Sequence, residues 1–249
     1  GTQKVEEELK NLFPSARVLR LDADSTMAAD SYAMYLEAFA AGEYDILLGT
    51  QMVAKGLDIP NVTLVGVVFA DSTLFHSDFR SSERTFQLLT QVAGRAGRAD
   101  KEGRVVIQTN APGHRAIRLC TKHDYKTFYN LEIGDRLRTL FPPFAVFVRA
   151  QFACADENAA ADAAERFANG VTKTILTALK PANAENELVF ALAGAAPIRR
   201  REGLFRYAVI IKLVRTANTA AAINAIYAFS DGCADECYRG IEVNPQDML

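Results

Sequence analysis

Asp45-Ile46-Leu47-Leu48 is a short apolar run that Gly49-Thr50-Gln51 follows directly. Runs of this kind are typical of strands buried on both faces of a parallel sheet. Comparable runs lie at 16–21, 62–69 and 104–108, and helical spacing between them predicts helices over about 3–13, 27–40 and 82–94 and from residue 114 onward. Apolar strands that alternate with helices predict a three-layer α/β domain, whose ligands gather at the carboxyl ends of the strands.

The composition is that of a soluble globular protein, with 49% apolar and 23% charged residues among 249 and a net charge of −2. No apolar run approaches the roughly 18 residues that a membrane span needs. The N-terminus has no secretory signal pattern and no initiator Met, so we expect a piece of a longer protein. The four cysteines lack the spacing of a zinc site, which favours reduced thiols in a cytoplasmic protein.

Gln91-Val92-Ala93-Gly94-Arg95-Ala96-Gly97-Arg98 closes the helix predicted over 82–94. Arg95 and Arg98 are three residues apart, so they share one side of a helical turn, and a glycine precedes each of them. Two permanently charged guanidinium groups at this spacing suit the binding of a polyphosphate. The alternative is a solvated basic helix end, since short motifs also occur by chance.

The chain contains no Gly-Lys-Ser or Gly-Lys-Thr phosphate loop, and its glycines lack the spacing of a dinucleotide fingerprint. The chain therefore has arginines suited to a nucleotide, but it lacks a loop that could hold the phosphates of that nucleotide. This combination suggests half of a binding site, which another domain completes. Asp22 and Asp24 follow a predicted strand and are candidates for a metal site. A strand-end loop and helix cap is the favoured interpretation for them, since Asp, Ser and Thr prefer caps.

The stretches that carry Thr50 and Arg95 resemble motifs V and VI in the second RecA-like lobe of superfamily-two helicases. A longer series of segments resembles the PriA family of bacterial primosomal replication-restart helicases. That series covers the first half of the chain densely and consists of residues 49–52, 55–56, 62–65, 78–80, 83–84, 91–98 and 106–109. The resemblance implies a RecA-like parallel-sheet helicase lobe in the first half.

The resemblance also implies roles for individual residues. In such helicases ATP and Mg²⁺ bind between two lobes, and the missing N-terminal part supplies the phosphate loop and the Mg²⁺-binding acid. Arg95 and Arg98 would be arginine fingers on the γ-phosphate, and Gln91 would link the nucleotide to the opposite lobe. Gly56 and Asp58 would lie at the nucleotide, with Asp58 near the ribose.

Residues after the strand at 45–48 would contact DNA in the same family pattern. Thr50 and Gln51 would contact phosphates of the tracked strand, whereas Lys55 is either a phosphate contact or an exposed loop lysine. The family carries a cysteine-rich zinc insertion just before the residues that match Gly1-Thr2-Gln3, so no zinc is expected in this chain.

The Phe141-Pro142-Pro143-Phe144 segment cannot continue a helix and predicts a boundary between domains at 1–140 and 141–249. The predicted order after it is strand, helix, strand, strand, helix, strand, which indicates a smaller α+β ferredoxin-like (split βαβ) domain. The C-terminal domain of the PriA family fits this order.

Between Pro197 and Arg215 six residues are basic and only Glu202 is acidic. A run of charge is usually a solvated face, yet basic residues interleaved with aromatic ones also hold single strands and fork junctions. DNA contact is the favoured interpretation. The candidates are Arg199, Arg200, Arg201, Arg206 and Tyr207.

The resemblance thus implies part of an ATP-dependent DNA helicase that remodels stalled replication forks and restarts replication by primosome assembly. Its expected partners are branched and single-stranded DNA, single-stranded-DNA-binding protein and other primosome proteins, and no membrane, in the bacterial cytoplasm. One alternative is a DNA- and protein-binding module without motor activity. Another is an RNA-type helicase lobe, which would prefer RNA to forked DNA.

Overall fold

The computed structural model describes residues 1–22, 29–50, 62–76, 78–94, 103–179 and 187–245. They form two compact units. The first is Gly1–His76 with Arg80–Phe128, and the second is Ser77–Phe79 with Tyr129–Leu249. The domain boundary between residues 140 and 141 stays a prediction. Across the described ranges, no helix combines the length and the apolar character needed to cross a bilayer.

The first unit alternates helices and strands along the chain. Its helices are α1 (Thr2–Leu12), α2 (Ala29–Ala40), α3 (Asp71–Leu74), α4 (Ser81–Ala93) and α5 (Arg115–Cys120). Its strands are β1 (Val18–Leu21), β2 (Ile46–Gly49), β3 (Leu64–Val67) and β4 (Arg104–Ile107). A further helix, α6 (Tyr125–Thr139), runs from the first unit into the second.

All strand pairs described in the first unit are parallel. β1 pairs with β2, with Val18 opposite Ile46, and β3 pairs with β4, with Leu64 opposite Arg104. Parallel neighbours need a long crossover between them, and helices supply it in α/β folds. The α/β class predicted for the first half of the chain is confirmed.

The core of the first unit is built on the apolar face of α4. Phe86 and Leu89 are at most 2% exposed, and the ring of Phe86 stacks on Phe128 with centroids 4.2 Å apart. Ala116 and Ile117 of α5 complete this cluster. Burying one side chain of this size stabilises a fold by about 1.5–3 kcal/mol, so α4 is held firmly along its length.

The prediction of one continuous helix from residue 114 to about residue 140 is wrong. The structure has two helices, because α5 ends at Cys120 and α6 begins at Tyr125. His123 between them has a φ of 52°, which a continuing helix does not allow. Asp124 then accepts a hydrogen bond from the backbone N–H of Thr127 at 3.0 Å, which caps the new helix.

The second unit has the order strand, helix, strand, strand, helix, strand. Its elements are β5 (Ala145–Cys154), α7 (Glu157–Ala178), β6 (Leu188–Arg201), β7 (Leu204–Val214), α8 (Thr219–Asp231) and β8 (Tyr238–Val243). They form one antiparallel sheet in the order β6-β7-β5-β8. Two interleaved βαβ crossovers give this order, so the predicted split βαβ arrangement is confirmed.

One face of that sheet packs against α7 and α8. Inward-facing positions alternate along the strands, as period-two geometry requires. They include Val148, Ala150, Phe152, Val209, Ile211 and Leu213, which meet Phe167, Val171 and Ile175 of α7 and Ile226 of α8. The sequence pattern predicts a strand over 188–192 only. β6 extends nine residues farther, because it continues to pair with β7 as far as Arg201 opposite Leu204.

Candidate nucleotide and nucleic-acid sites

Thr50 lies where the sequence places it, one residue after the carboxyl end of β2. Its side chain is exposed, and the strand behind it is held in parallel register up to Leu21 opposite Gly49. An exposed hydroxyl at this edge of a parallel sheet can donate to a phosphate oxygen. The candidates that follow it, Gln51, Lys55, Gly56 and Asp58, lie outside the described residues.

Asp22 follows the carboxyl end of β1 and has protein partners. Its Oδ2 accepts a hydrogen bond from Oγ1 of Thr2 at 2.6 Å and lies 3.3 Å from Nε of Arg20. These contacts tie α1 to β1. Among the described residues, no three His, Cys, Asp or Glu side chains gather closely enough to hold a metal ion.

Gln91 lies in the last turn of α4 and is half-buried. The residues beside it, Leu89 and Val92, face the core, so the helix fixes the direction in which the amide projects. α4 ends at Ala93, close to the end predicted from the sequence. Arg95 and Arg98 continue the motif and lie outside the described residues.

The carboxylate of Asp71 is a site feature that the sequence pattern did not reveal. Asp71 is 4% exposed, and its oxygens accept hydrogen bonds from Oγ1 of Thr109 at 3.1 Å and from the N–H of Asn110 at 3.0 and 3.2 Å. These bonds join the segments that follow β3 and β4 at the carboxyl edge of that pair. A buried carboxylate needs such partners, so Asp71 fixes the shape of this edge.

Three of the basic candidates of the second unit, Arg199, Arg200 and Arg201, lie at the tip of a β-hairpin. β6 and β7 are joined by Glu202 and Gly203, whose φ values are 54° and 83°. Positive φ at both central residues is the geometry of the tight turn that matches strand twist. Arg201 therefore lies opposite Leu204, and Arg200 lies opposite Phe205.

Two of the candidates converge on one carboxylate that the sequence pattern did not single out. Oε1 of Glu157, in the first turn of α7, accepts a hydrogen bond from Nε of Arg199 at 2.5 Å and from the hydroxyl of Tyr207 at 3.3 Å. The Glu157 carboxylate raises the pKa of Arg199 above its usual value, mainly through this hydrogen bond. The sequence held one signal for Glu157, which directly follows the helix cap Asp156. Acidic residues are favoured in the first turn of a helix.

The other arginines differ in their surroundings. The guanidinium carbon of Arg200 lies 4.9 Å from the ring centroid of Phe205, and Nε of Arg201 lies 3.2 Å from the exposed carboxylate of Glu202. Arg206 lies farther down β7, opposite Ala153, and is half-buried.

The side chains of Arg199 and Arg201 remain 62% and 67% exposed despite their ion pairs. Exposed ion pairs of this kind are weak, so a phosphate can compete for the arginines. The hairpin tip thus presents arginine donors beside an aromatic ring, a combination that can contact phosphates and stack on bases.

The first part of the chain matches a known class of protein domain. Residues 1–100 match the family described as helicase conserved C-terminal domain. This part of the chain is therefore a helicase C-terminal domain, consistent with its parallel strand pairs.

Relatives that match over 59–91% of the chain carry the name Replication restart protein PriA. The chain is 45% identical to Replication restart protein PriA of Bacillus subtilis over 226 residues, which is 91% of the chain and 27% of that relative. It is 41% identical to the Treponema pallidum protein of that name over 74% of the chain and 27% of the relative. For the Synechocystis protein the identity is 47%, over 59% of the chain and 18% of the relative.

The chain belongs to the PriA family and corresponds to a C-terminal region of its members. It spans between 18% and 27% of the length of these three relatives.

Proposed function

We propose that this chain provides the second RecA-like lobe and the C-terminal domain of an ATP-dependent DNA helicase. The intact protein remodels stalled replication forks and restarts replication by assembling a primosome. The observation that carries the proposal is the identity of 45% to a replication restart protein over 91% of the chain. The helicase domain match over residues 1–100 supports the motor part of the proposal.

The nucleotide site is shared between this lobe and the missing N-terminal part. Arg95 and Arg98 reach the γ-phosphate and stabilise the charge that develops in the transition state, an effect worth about 10³–10⁵ in rate for arginine fingers. Gln91, fixed by α4, links the nucleotide to the opposite lobe. Gly56 and Asp58 line the nucleotide, with Asp58 near the ribose, and Mg²⁺ is held by the missing part.

DNA is held at two places in this proposal. Thr50, Gln51 and Lys55 follow the carboxyl end of β2 and contact phosphates of the tracked strand. The hairpin tip contacts the fork through Arg199, Arg200, Arg201, Arg206 and Tyr207. Closure of the two lobes around the nucleotide and their reopening after hydrolysis shift the first grip by a step.

The proposed partners follow from the same function. They are branched forks and single-stranded DNA, single-stranded-DNA-binding protein and other primosome proteins, and the missing N-terminal part of the same protein. The expected location is the bacterial cytoplasm, and zinc is expected in the family's cysteine-rich insertion rather than in this chain.

The experiment that tests the function compares the full-length protein on forked DNA, on duplex DNA of the same sequence and on an RNA fork. We expect ATP hydrolysis that DNA stimulates and strand separation that favours the DNA fork. Hydrolysis without any dependence on DNA would contradict the proposal, and a preference for the RNA fork would replace it with an RNA-type helicase.

The chain on its own is proposed to be a binding module without motor activity. The exposed arginines at the hairpin tip favour this second function, because they lie on elements complete within the chain. Mixing the chain with ATP, Mg²⁺ and forked DNA should give binding without hydrolysis. Appreciable turnover would show that the phosphate-binding half has been misassigned.

A further inference from the structure

A bulge interrupts the edge strand β6 before it reaches the hairpin turn. Ala195 lies opposite Tyr207, and the next regular pair is Arg200 opposite Phe205. Residues 196–199 of β6 therefore face a single residue of β7. Extra residues in a bulge are left unpaired and their side chains are re-aimed. β7 is the only described strand that pairs with β6, so the bulge lies on an open edge of the sheet.

Pro197 and Ile198 occupy the middle of this bulge. Proline has no N–H for the ladder, and within sheets it is confined to edge strands and bulges. Both residues are exposed, and 59% of Ile198 is accessible to solvent. The bulge thus presents an apolar side chain directly after a residue whose φ is fixed by its ring.

Hydrogen bonds to one carboxylate anchor the bulge in the free chain. Nε of Arg199, the last residue of the bulge, donates to Oε1 of Glu157 at 2.5 Å. The hydroxyl of Tyr207, on the facing strand, donates to the same oxygen at 3.3 Å. Both strands of the hairpin are therefore tied to the first turn of α7. A side chain held on such a preorganised segment loses little further freedom when it binds.

The residues that follow Ile198 distinguish it from other exposed apolar residues. Single apolar side chains are ordinary on protein surfaces, and β6 also exposes Val189 and Leu192. Only Ile198 among these three is followed directly by a run of arginines, at 199–201. The side chains of the first and third arginines are 62% and 67% exposed. An apolar side chain and phosphate-binding donors thus lie side by side.

This combination fits a place where stacked bases are parted. Proteins that unstack DNA insert apolar side chains such as isoleucine between bases, and cations on the same element hold the neighbouring phosphates. Unstacking costs free energy, and the cost is least where pairing or stacking is already interrupted. In a forked DNA, that place is the junction between the duplex arm and the single strands.

We propose that Ile198 is a wedge residue that inserts against the terminal base pair of a fork junction. The arginines at 199–201 hold the adjacent phosphates. This inference rests on the proposed DNA contact of the hairpin and names the DNA structure that the hairpin recognises. The wedge makes the hairpin prefer a junction to a single strand.

The test uses the chain without ATP and forks that carry 2-aminopurine, a base whose fluorescence rises when it is unstacked. The probe stands either at the junction or in the middle of the duplex arm. We expect binding of the wild-type chain to raise the junction signal about twofold or more and to leave the other signal unchanged.

Ile198→Ala should abolish the rise at the junction. Its affinity for the fork should fall about three- to tenfold, the scale of the apolar area removed, while its affinity for a single strand stays within about twofold. The slope of log K against log salt should not change, because no phosphate contact is lost. Ile198→Leu keeps the apolar volume and should retain the wild-type signal and affinity.

Leu192→Ala is the matched control, because Leu192 is 61% exposed on β6 and lies outside the bulge. It should behave as the wild type. The inference is overturned if the wild-type chain binds the fork without a rise at the junction. It is also overturned if Leu192→Ala weakens fork binding as much as Ile198→Ala does. Both results would leave the DNA contact of the hairpin standing, whereas a chain that binds no DNA would overturn that contact as well.

Discussion

Glu157 accepts a hydrogen bond from Nε of Arg199 at 2.5 Å, and this contact joins the basic hairpin to the first turn of α7. The candidate DNA-binding arginines are therefore unequal. Arg199 and Arg201 must exchange a carboxylate for a phosphate, whereas Arg200 lies over Phe205. This difference makes the hairpin testable one residue at a time.

Replacing Arg199, Arg200 and Arg201 together with Ala should weaken binding of the chain to forked DNA. Removing one phosphate-binding cation lowers the slope of log K against log salt by about 0.7–0.9, so we expect the loss of three to reduce its magnitude by about 2–3. Fluorescence anisotropy at several salt concentrations measures the slope.

Arg138→Ala is the matched control for the triple substitution. Arg138 is 77% exposed and lies in the last turn of α6, near Thr139, which contacts Lys212. Lys212 is eight residues along β7 from the hairpin turn, roughly 25 Å away at the rise of a strand. An unchanged slope in the triple variant, or an equal change in the control, would show that the hairpin is not part of the DNA interface.

Glu157→Gln should strengthen DNA binding. The substitution releases Arg199 and removes a negative charge near the site, so we expect affinity to rise about two- to fivefold at low salt and the gain to fade at high salt. Glu165→Gln is a suitable control, because Glu165 is an exposed carboxylate on the same helix. Weaker binding in Glu157→Gln would mean that the Arg199–Glu157 pair orders the hairpin for DNA.

Gly170→Ala and Gly134→Ala should have opposite effects on stability. A Cβ on Gly170 would collide with the Cζ atom of Phe229, whereas a Cβ on Gly134 meets nothing within 4 Å. Alanine favours a helix over glycine by about 1 kcal/mol, while overpacking costs about 1–3 kcal/mol. Urea unfolding should find Gly170→Ala the less stable, and equal stability would contradict the packing of α7 on α8.

The Arg17–Asp45 pair, which joins the starts of β1 and β2, should contribute stability that depends on pH. Hydrogen bonds from Arg17 lower the pKa of Asp45 from 3.8 to about 2. The unfolded chain therefore takes up the proton first as the pH falls, so the contribution is complete above the unfolded pKa and is lost towards pH 2.

Asp45→Asn tests this contribution. Melting temperatures should differ between wild type and variant by a constant amount above about pH 5, where the unfolded aspartate is ionised. The difference should shrink as the pH falls below about 4. A difference that stayed constant down to about pH 2.5 would show that the carboxylate charge is not what stabilises this corner of the sheet.

Much of the fold could be predicted because its signals are local. Alternating apolar residues over 146–152 predict the strand that forms β5, and an Ala-rich amphipathic pattern over 158–179 predicts α7, since each pattern reflects the face that the element buries. The break between α5 and α6 could not be predicted, because it depends on the backbone of His123 adopting a positive φ.

The candidate functional sites likewise combine features that local sequence patterns predict with features that they do not. The positions of Thr50 after β2 and of Gln91 near the end of α4 followed from strand and helix boundaries. The contact of Arg199 with Glu157 joins residues 42 positions apart. Only the folded chain brings such a pair together.

The central claim is that this chain carries the arginine fingers of an ATP-driven DNA helicase. The most direct measurement is the hydrolysis rate of the full-length protein on forked DNA, comparing wild type with Arg98→Ala. We expect the variant to bind ATP and the fork normally and to lose about 10³-fold or more in turnover. A variant that binds both and hydrolyses ATP at the wild-type rate would contradict the claim.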